Sequence, residues 1–388
     1  MDNSMKPSIN TFLGCLLCLY TPLTLAEGGF PVGPTTVYPS LGIDLGYNDN
    51  VIQSSTDEIG SSYMRLTPSV KWELERLSDK YIIGFDANVI RYFGSSADNA
   101  ENYGITGSTD LDLPDKFHAT LTAGHRKDFD PRGTTDFDEA GDPNKWDTTT
   151  LGGNLSYGSP GAKGRIEIKA NYATVRYDES RVAALTDRDS LGFGGAFHYR
   201  VQPKTYVFVN LDITDNTYKT SSRFDSKEYR YGLGASWFAT AKTTGTVNFG
   251  YSNRDMEDDT MSDYTGTYLQ AILNWRPRTY SLFDVVASRM TGENKGFGDY
   301  TLTNALGLAW TYAWNTRLSS TAGYDYADIS FGGTDRNDDK NSVYLNLNYQ
   351  MRRWLSLRSG INIVNFTSNY PDEDYDQRVV SLTLFSSF

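Results

Sequence analysis

Arg165-Ile166-Glu167-Ile168-Lys169-Ala170-Asn171-Tyr172 alternates without a break. Ile166, Ile168, Ala170 and Tyr172 share one face of an extended chain; Arg165, Glu167, Lys169 and Asn171 share the other. Successive side chains of a strand point to opposite faces, so this stretch reads as a strand with one apolar and one polar surface. The same grammar returns in Val343, Leu345, Leu347 and Tyr349 against Tyr344, Asn346, Asn348 and Gln350. It returns again in Leu355, Leu357, Ile361 and Ile363 against Ser356, Arg358 and Asn362. A soluble β-sandwich would alternate in the same way, so the number and length of such segments must decide the fold.

Working outward, alternating segments run from Val37 to the last residue. Short connections rich in Pro, Gly, Lys or Arg fall at Leu77-Ser78-Asp79, Pro114-Asp115-Lys116, Ser159-Pro160-Gly161, Gln202-Pro203-Lys204, Thr240-Ala241-Lys242, Arg276-Pro277-Arg278, Ala313-Trp314-Asn315 and Arg352-Arg353. Between them lie longer polar stretches near residues 49–62, 94–102, 127–147, 178–189, 214–227, 254–263, 290–299, 331–341 and 367–377. Eight turns and nine loops separate 18 strands. A propeller would fit four short strands into each period of about 40 residues, whereas each period here holds two long strands and one loop. The expected fold is therefore all-β: a transmembrane antiparallel up-and-down β-barrel of 18 strands. Its short turns are expected in the periplasm with both termini, and its long loops outside the cell. In Tyr280–Met290, Asp284 sits among Leu282, Phe283, Val285 and Val286, and the pattern assigns no faces.

Composition agrees with a barrel. The chain has 388 residues, a net charge of −12, 27 Tyr, 19 Phe and 35 Gly. No stretch beyond the N-terminus approaches the length of a spanning helix, and the acidity argues against a phosphate-binding face for nucleic acid. Residues 1–26 read as a secretory signal peptide: Lys6, the apolar run Phe12–Tyr20, then Thr24-Leu25-Ala26 before the cut. Residues 27–388 then form a single barrel domain. Cys15 and Cys18 are the only cysteines, and Phe12 stands where a lipidated Cys15 would need Leu. Both leave with the leader, which removes disulfides, thiol nucleophiles and Cys-ligated metals from the mature chain.

The nine loop stretches carry 32 Asp plus Glu and 12 Lys plus Arg, so the walls and turns together are net basic. Asp255, Glu257, Asp258 and Asp259 form one dense acidic group, and Asp372, Glu373, Asp374 and Asp376 another. Neither has the glycine and ligand spacing of a calcium loop, and both read as solvated loops. The chain has three histidines, His118, His125 and His198, and lacks a glycine-framed nucleophile, an HExxH helix and a phosphate loop. No enzyme, cofactor or metal is expected. Barrels of this size leave an aqueous channel. Parity places Asp86, Asn88, Glu167, Lys169, Asn171, Asn210, Asp212, Asn346, Asn348 and Arg358 on its lumen, a lining suited to hydroxyl-rich solutes. The longest loop, around 127–147, is a candidate constriction.

Val380, Leu382, Leu384 and Phe388 share one parity, and Phe388 is the last residue given. This is similar to the C-terminal assembly signal read by the outer-membrane barrel-insertion machinery, although Ser386 replaces its usual large apolar residue. At the first strand, Tyr47-Asn48-Asp49-Asn50-Val51 follows the Pro-led stretch Val37-Tyr38-Pro39-Ser40-Leu41. Arg65-Leu66-Thr67-Pro68-Ser69-Val70 then opens the descent. These two segments resemble the putative beta-barrel porin 2 family, which includes outer-membrane barrels encoded in exopolysaccharide operons. The resemblance implies a bacterial outer-membrane pore for secretion of an exopolysaccharide. An outer-membrane barrel with acidic outer loops is expected to meet membrane lipids and lipopolysaccharide; the resemblance adds the polysaccharide substrate and a periplasmic polysaccharide-export protein as implied partners. The alternative is a general or sugar-selective diffusion porin.

Overall fold

The computed structural model describes residues 29–388 except 136–140, 160, 241, 295 and 371. The expected leader with its two cysteines, and the turn residues Pro160 and Ala241, lie outside the described residues. A short strand β1 (Phe30–Val32) precedes eighteen long ones. They are β2 (Thr35–Asn48), β3 (Ser61–Arg76), β4 (Asp79–Tyr92), β5 (Ala100–Asp112), β6 (Phe117–Asp130), β7 (Asn144–Tyr157), β8 (Gly164–Tyr177), β9 (Arg188–Gln202) and β10 (Thr205–Tyr218). The second half is β11 (Ser226–Thr240), β12 (Thr243–Met256), β13 (Tyr264–Arg278), β14 (Ser281–Gly292), β15 (Thr301–Ala313), β16 (Leu318–Phe331), β17 (Asn337–Arg352), β18 (Leu355–Ser368) and β19 (Tyr375–Ser387). One helix, α1 (Ser180–Thr186), lies between β8 and β9.

Each long strand pairs antiparallel with the next, and β19 pairs with β2, closing an 18-stranded barrel. Closure pairs the first long strand with the last, as a wall in lipid requires. At the seam the ladder between β19 and β2 runs from Val379↔Asn48 to Ser387↔Ser40. Below it β1 takes over the same edge of β2, from Phe30↔Val37 to Val32↔Thr35. Above it side chains continue the join. Asn50, fully buried, donates from Nδ2 to the carbonyls of Ser54 (2.8 Å) and Asp376 (2.9 Å) and accepts from Ser54 N–H (3.1 Å). Gln377 Nε2 donates to the Asn50 carbonyl and Arg378 N–H to the Asp49 carboxylate. The Tyr47–Val51 run thus sits at the seam.

The two faces separate as the pleat requires. Leu41, Leu45, Ile83, Phe85, Ile166, Ile168, Val209, Leu211, Leu345 and Leu347 are exposed in an apolar belt. Side chains of opposite parity are polar or small, and some reach across several strands. Tyr268 on β13 donates to Asn248 on β12 and reaches Asn210 on β10. Only the concave face lets side chains converge so, which makes the polar face the interior. Tyr268 lies over Gly232 and Gly250, where any Cβ would collide with its ring.

The strands run further toward the long-loop end than alternation indicated: the connection expected at 331–341 narrows to 332–336. At the other end β13 continues through Arg276-Pro277-Arg278 and the turn falls at Thr279–Tyr280. In β14, Phe283 and Val285 face outward opposite Trp310 and Leu308, and Asp284 faces inward, hydrogen-bonded by Asn274. The pattern was unreadable there because Leu282 and Val286, of the same parity as Asp284, put apolar groups inside as well.

Candidate lumen and its constriction

All ten residues that parity assigned to the lumen lie on the interior face, and many are tied to one another across the strands. Arg126 binds both carboxylate oxygens of Asp86 at 3.0 and 2.9 Å. Glu167 accepts from Asn154 at 2.7 Å and lies 3.5 Å from both His198 Nε2 and an Arg165 nitrogen. Lys169 pairs with Asp212 at 2.7 Å, and Asn210 donates to Asp212 and Tyr268. Asn171 covers Gly192 and Asn346 covers Gly360. Asn348 and Arg358 are register partners on β17 and β18. Asn88 keeps a buried side-chain oxygen without a partner; with Ala87 it falls at the gap in the β3–β4 ladder opposite Thr67 and Pro68, where proline offers no N–H.

Two segments turn inward at the long-loop end; the first lies in the 127–147 stretch named as a candidate constriction, and spacing gave no sign of the second. The first follows β6. Phe129, like Tyr92 and Val379, packs against the buried cluster of Tyr63, Ile90 and Ala100 on the inner side of β3–β5. Arg132 binds the buried Asp98 and Ser95, and Gly133 sits against the Ile52 carbonyl. The second is the β14–β15 hairpin, whose tip leaves the wall. Thr291 donates to Glu228 on β11 at 2.8 Å. Glu293 receives Asn216 Nδ2 (3.1 Å) and the Tyr218 hydroxyl (2.6 Å) from β10 and Arg254 Nη2 (2.7 Å) from β12. Beyond it Phe297 meets Phe331 and Tyr370 edge-on, inside a cage where Arg336 also stands over all three rings. The hairpin is therefore a strap lying across the mouth. It leans on the sector of β10–β12, nearly opposite the sector covered by Phe129–Gly133.

The anchor of the strap is ionic. Arg254 is 1 % exposed and the Glu293 side chain 14 %. Burial alone would push the Glu293 carboxyl up, but the adjacent guanidiniums of Arg254 and Arg188 hold it down at about 2. A buried charge pair is stable only when its remaining donors and acceptors are also satisfied, and Tyr218 and Asn216 do this for Glu293.

The acidic groups are not convergent. Asp258 caps Thr260, whose hydroxyl and N–H hold its carboxyl below the usual range. Asp374 accepts Ser368 N–H, Asp376 accepts Asn365, and Glu373 pairs with Arg336. Among the described residues no group of three or more His, Cys, Asp or Glu is placed to hold a metal. His118 binds Asp112, His198 binds Glu167 and packs at a tilt against Phe208, and His125 binds Thr149 on the outer face. None is hydrogen-bonded to both a hydroxyl and a carboxylate. The terminal parity row is also resolved: Val380, Leu382 and Leu384 are exposed on the lipid side, and Phe388 stacks on Trp354 and Phe30. Ser386 stands in the same row between Leu41 and Leu355.

Comparison with solved structures gives the fold independently. OccAB3 of Acinetobacter baumannii is 12% identical, with 92% of this chain and 100% of that chain covered at a TM-score of 0.52. The outer membrane protein OpdK of Pseudomonas aeruginosa is 11% identical, covering 91% and 99%, at 0.53. OccK2 (OpdF) of the same organism, solved with glucuronate, is 9% identical, covering 91% and 98%, at 0.52. No curated protein matches the sequence. The family model of putative beta-barrel porin 2 matches residues 25–388, so the chain belongs to that family of β-barrel porins of the bacterial outer membrane.

Proposed function

We propose that this barrel is the outer-membrane exit for an exopolysaccharide. The observation that carries the reading is the state of the interior charges. Arg126–Asp86, Lys169–Asp212 and His198–Glu167 are partnered across strands. What the wall then offers a passing chain is mainly amide, hydroxyl and aromatic surface, which suits a hydroxylated polymer better than a single ion. The family resemblance to barrels of exopolysaccharide operons supports the same reading. The short-turn rim adds an entrance. From the β7–β8 turn to the β17–β18 turn it exposes Lys163, Lys204, Lys242, Arg276, Arg278, Arg317, Arg352 and Arg353. The acidic Glu75, Asp79, Asp112 and Asp115 are gathered at the first two turns. With that rim in the periplasm, the basic arc would collect an acidic glycan or seat the acidic face of a periplasmic export protein.

Deleting the gene and assaying secreted polysaccharide, with complementation, tests the proposal. Loss of secretion with restoration by the wild-type chain supports it. Normal secretion accompanied by lost uptake of small sugars overturns it in favour of a diffusion porin, which the same fold serves equally well.

A further inference from the structure

The strap leaves a mark on the outside of the wall. Above the pair Leu269↔Arg289, β14 is paired only with β15, so Tyr264–Tyr268 of β13 face a gap. On the lipid side of this fork lies a hollow of about 360 Å³, lined among others by Phe249, Leu269, Ala287, Arg289, Leu306 and Tyr326. Its surface is mostly apolar, and an apolar hollow facing a bilayer loses dispersion contacts unless something fills it.

Arg289 sits in this hollow with few partners. Its Nη1 donates to Asn304 at 2.5 Å, its Nε is buried without an acceptor, and among the described residues no carboxylate lies within ion-pair distance. Four other outward cations toward the same end are neutralised: Arg91 by Glu101, Lys127 by Asp178, Arg176 by Asp189 and Lys227 by Glu257. The height of the fork is constrained too. Unpaired strand edges do not occur against hydrocarbon, so Tyr264–Tyr268 must lie at the level of the headgroups, where phosphates are found.

We propose that the hollow is a binding site for lipid A of the outer leaflet, with a phosphate on Arg289 and an acyl chain along Phe249, Leu269 and Leu306. The geometry asks for an anionic oxygen at one end and an alkyl chain at the other. The choice of lipid A over a phospholipid follows from placing the long-loop end outside.

The test uses the purified, delipidated full barrel in mild detergent, with native mass spectrometry and thermal unfolding as readouts. The probes are bisphosphoryl lipid A, dephosphorylated lipid A and phosphatidylglycerol. Bisphosphoryl lipid A is expected to bind and raise the unfolding temperature, and the other two to bind about tenfold more weakly or not at all, equivalent to about 1.4 kcal/mol. Arg289→Gln should abolish the difference between the phosphorylated and dephosphorylated forms. Ala287→Phe, which fills the hollow while keeping the charge, should weaken both, and Arg378→Gln, an exposed cation elsewhere on the rim, should change nothing. Equal binding of the two lipid A forms, or unchanged binding by Arg289→Gln in a barrel that still shifts on heating in detergent gels, overturns the proposal. Preference for phosphatidylglycerol also overturns it and would place the fork in the inner leaflet.

Discussion

The ion pair between Glu293 and Arg254 should set how firmly the strap is held, and Glu293→Gln isolates it. The amide keeps the shape, but its one oxygen can replace only the carboxylate oxygen that meets Tyr218 or the one that meets Asn216, and it leaves the guanidinium of Arg254, 1 % exposed, without its charge partner. Removing one member of a buried pair costs about 3–5 kcal/mol. Since a hydrogen bond survives, the lower value applies, and about 3 kcal/mol shifts the ratio of docked to undocked strap by roughly 100-fold. The same anchor should respond to acid. The Glu293 carboxyl titrates near 2 in the folded protein against an ordinary value of 4.5. A depressed carboxyl contributes stability that is present above its unfolded value and is lost as pH falls through the folded one. The strap should therefore be quiet at pH 7 and loosen between about pH 4.5 and 2. Single-channel recording in planar bilayers reads this directly: wild-type channels should become larger or noisier over that acid window, and Glu293→Gln should behave so at pH 7. A Glu293→Gln channel identical to wild type in conductance and noise, with normal heat-modifiable mobility, would refute the assignment of the hairpin as a constriction held by charge.

Three further outcomes follow from other sites. Asn50→Ala removes three side-chain hydrogen bonds from the seam and should cost about 3 kcal/mol at roughly 1 kcal/mol each, read as a lower midpoint in urea titration of the detergent-solubilised barrel; a change under about 0.5 kcal/mol counts against the seam role. A chain ending at Ser387 loses the stack of Phe388 on Trp354 and Phe30 together with the terminal residue of the assembly signal, so its outer-membrane level should fall, and normal levels by quantitative blotting would contradict this. Reversing Lys169 and Arg358 to Glu adds negative charge to the lumen wall, beside Asp212 in the first case, and should move the reversal potential toward cation selectivity and slow passage of an acidic glycan; unchanged selectivity would mean that neither side chain meets the permeating solute.

Strand number, closure and facing were legible because lipid imposes one rule on every outward residue. Ile166 and Ile168, or Leu345 and Leu347, must be apolar whatever lies inside, and that regularity is local in sequence. The lumen candidates came with it as the complementary parity. Their partners did not: Asp86 finds Arg126, and Lys169 finds Asp212, through register between strands forty or more residues apart. The strap was hidden for a second reason. Glu293, Glu228, Tyr218 and Arg254 come from four separate elements, and three of them, Glu293, Tyr218 and Arg254, fall in stretches that looked like ordinary polar loops.

The strap and the hollow have one physical origin. After Arg289, β14 parts from β13 while staying paired with β15 as far as Gly292. This strands the neighbouring edge of β13, and the surrounding side chains partly repair it. The Tyr264 hydroxyl donates to the Thr267 carbonyl, the Tyr300 hydroxyl donates to the Asp263 carbonyl, and Asp299 accepts Ser262 N–H. The last two bonds tie Ser262 and Asp263 to Asp299 and Tyr300 without involving Glu293, so the fork should keep its shape when Glu293 is protonated. Loosening the anchor should then free the tip inside the mouth while the fork, and with it the outer hollow at Arg289, persists. The two sites share a cause but should answer separately to mutation: Glu293→Gln should alter conductance without altering lipid binding, and Arg289→Gln the reverse. A variant that moved both readouts together would show that the fork itself opens and closes.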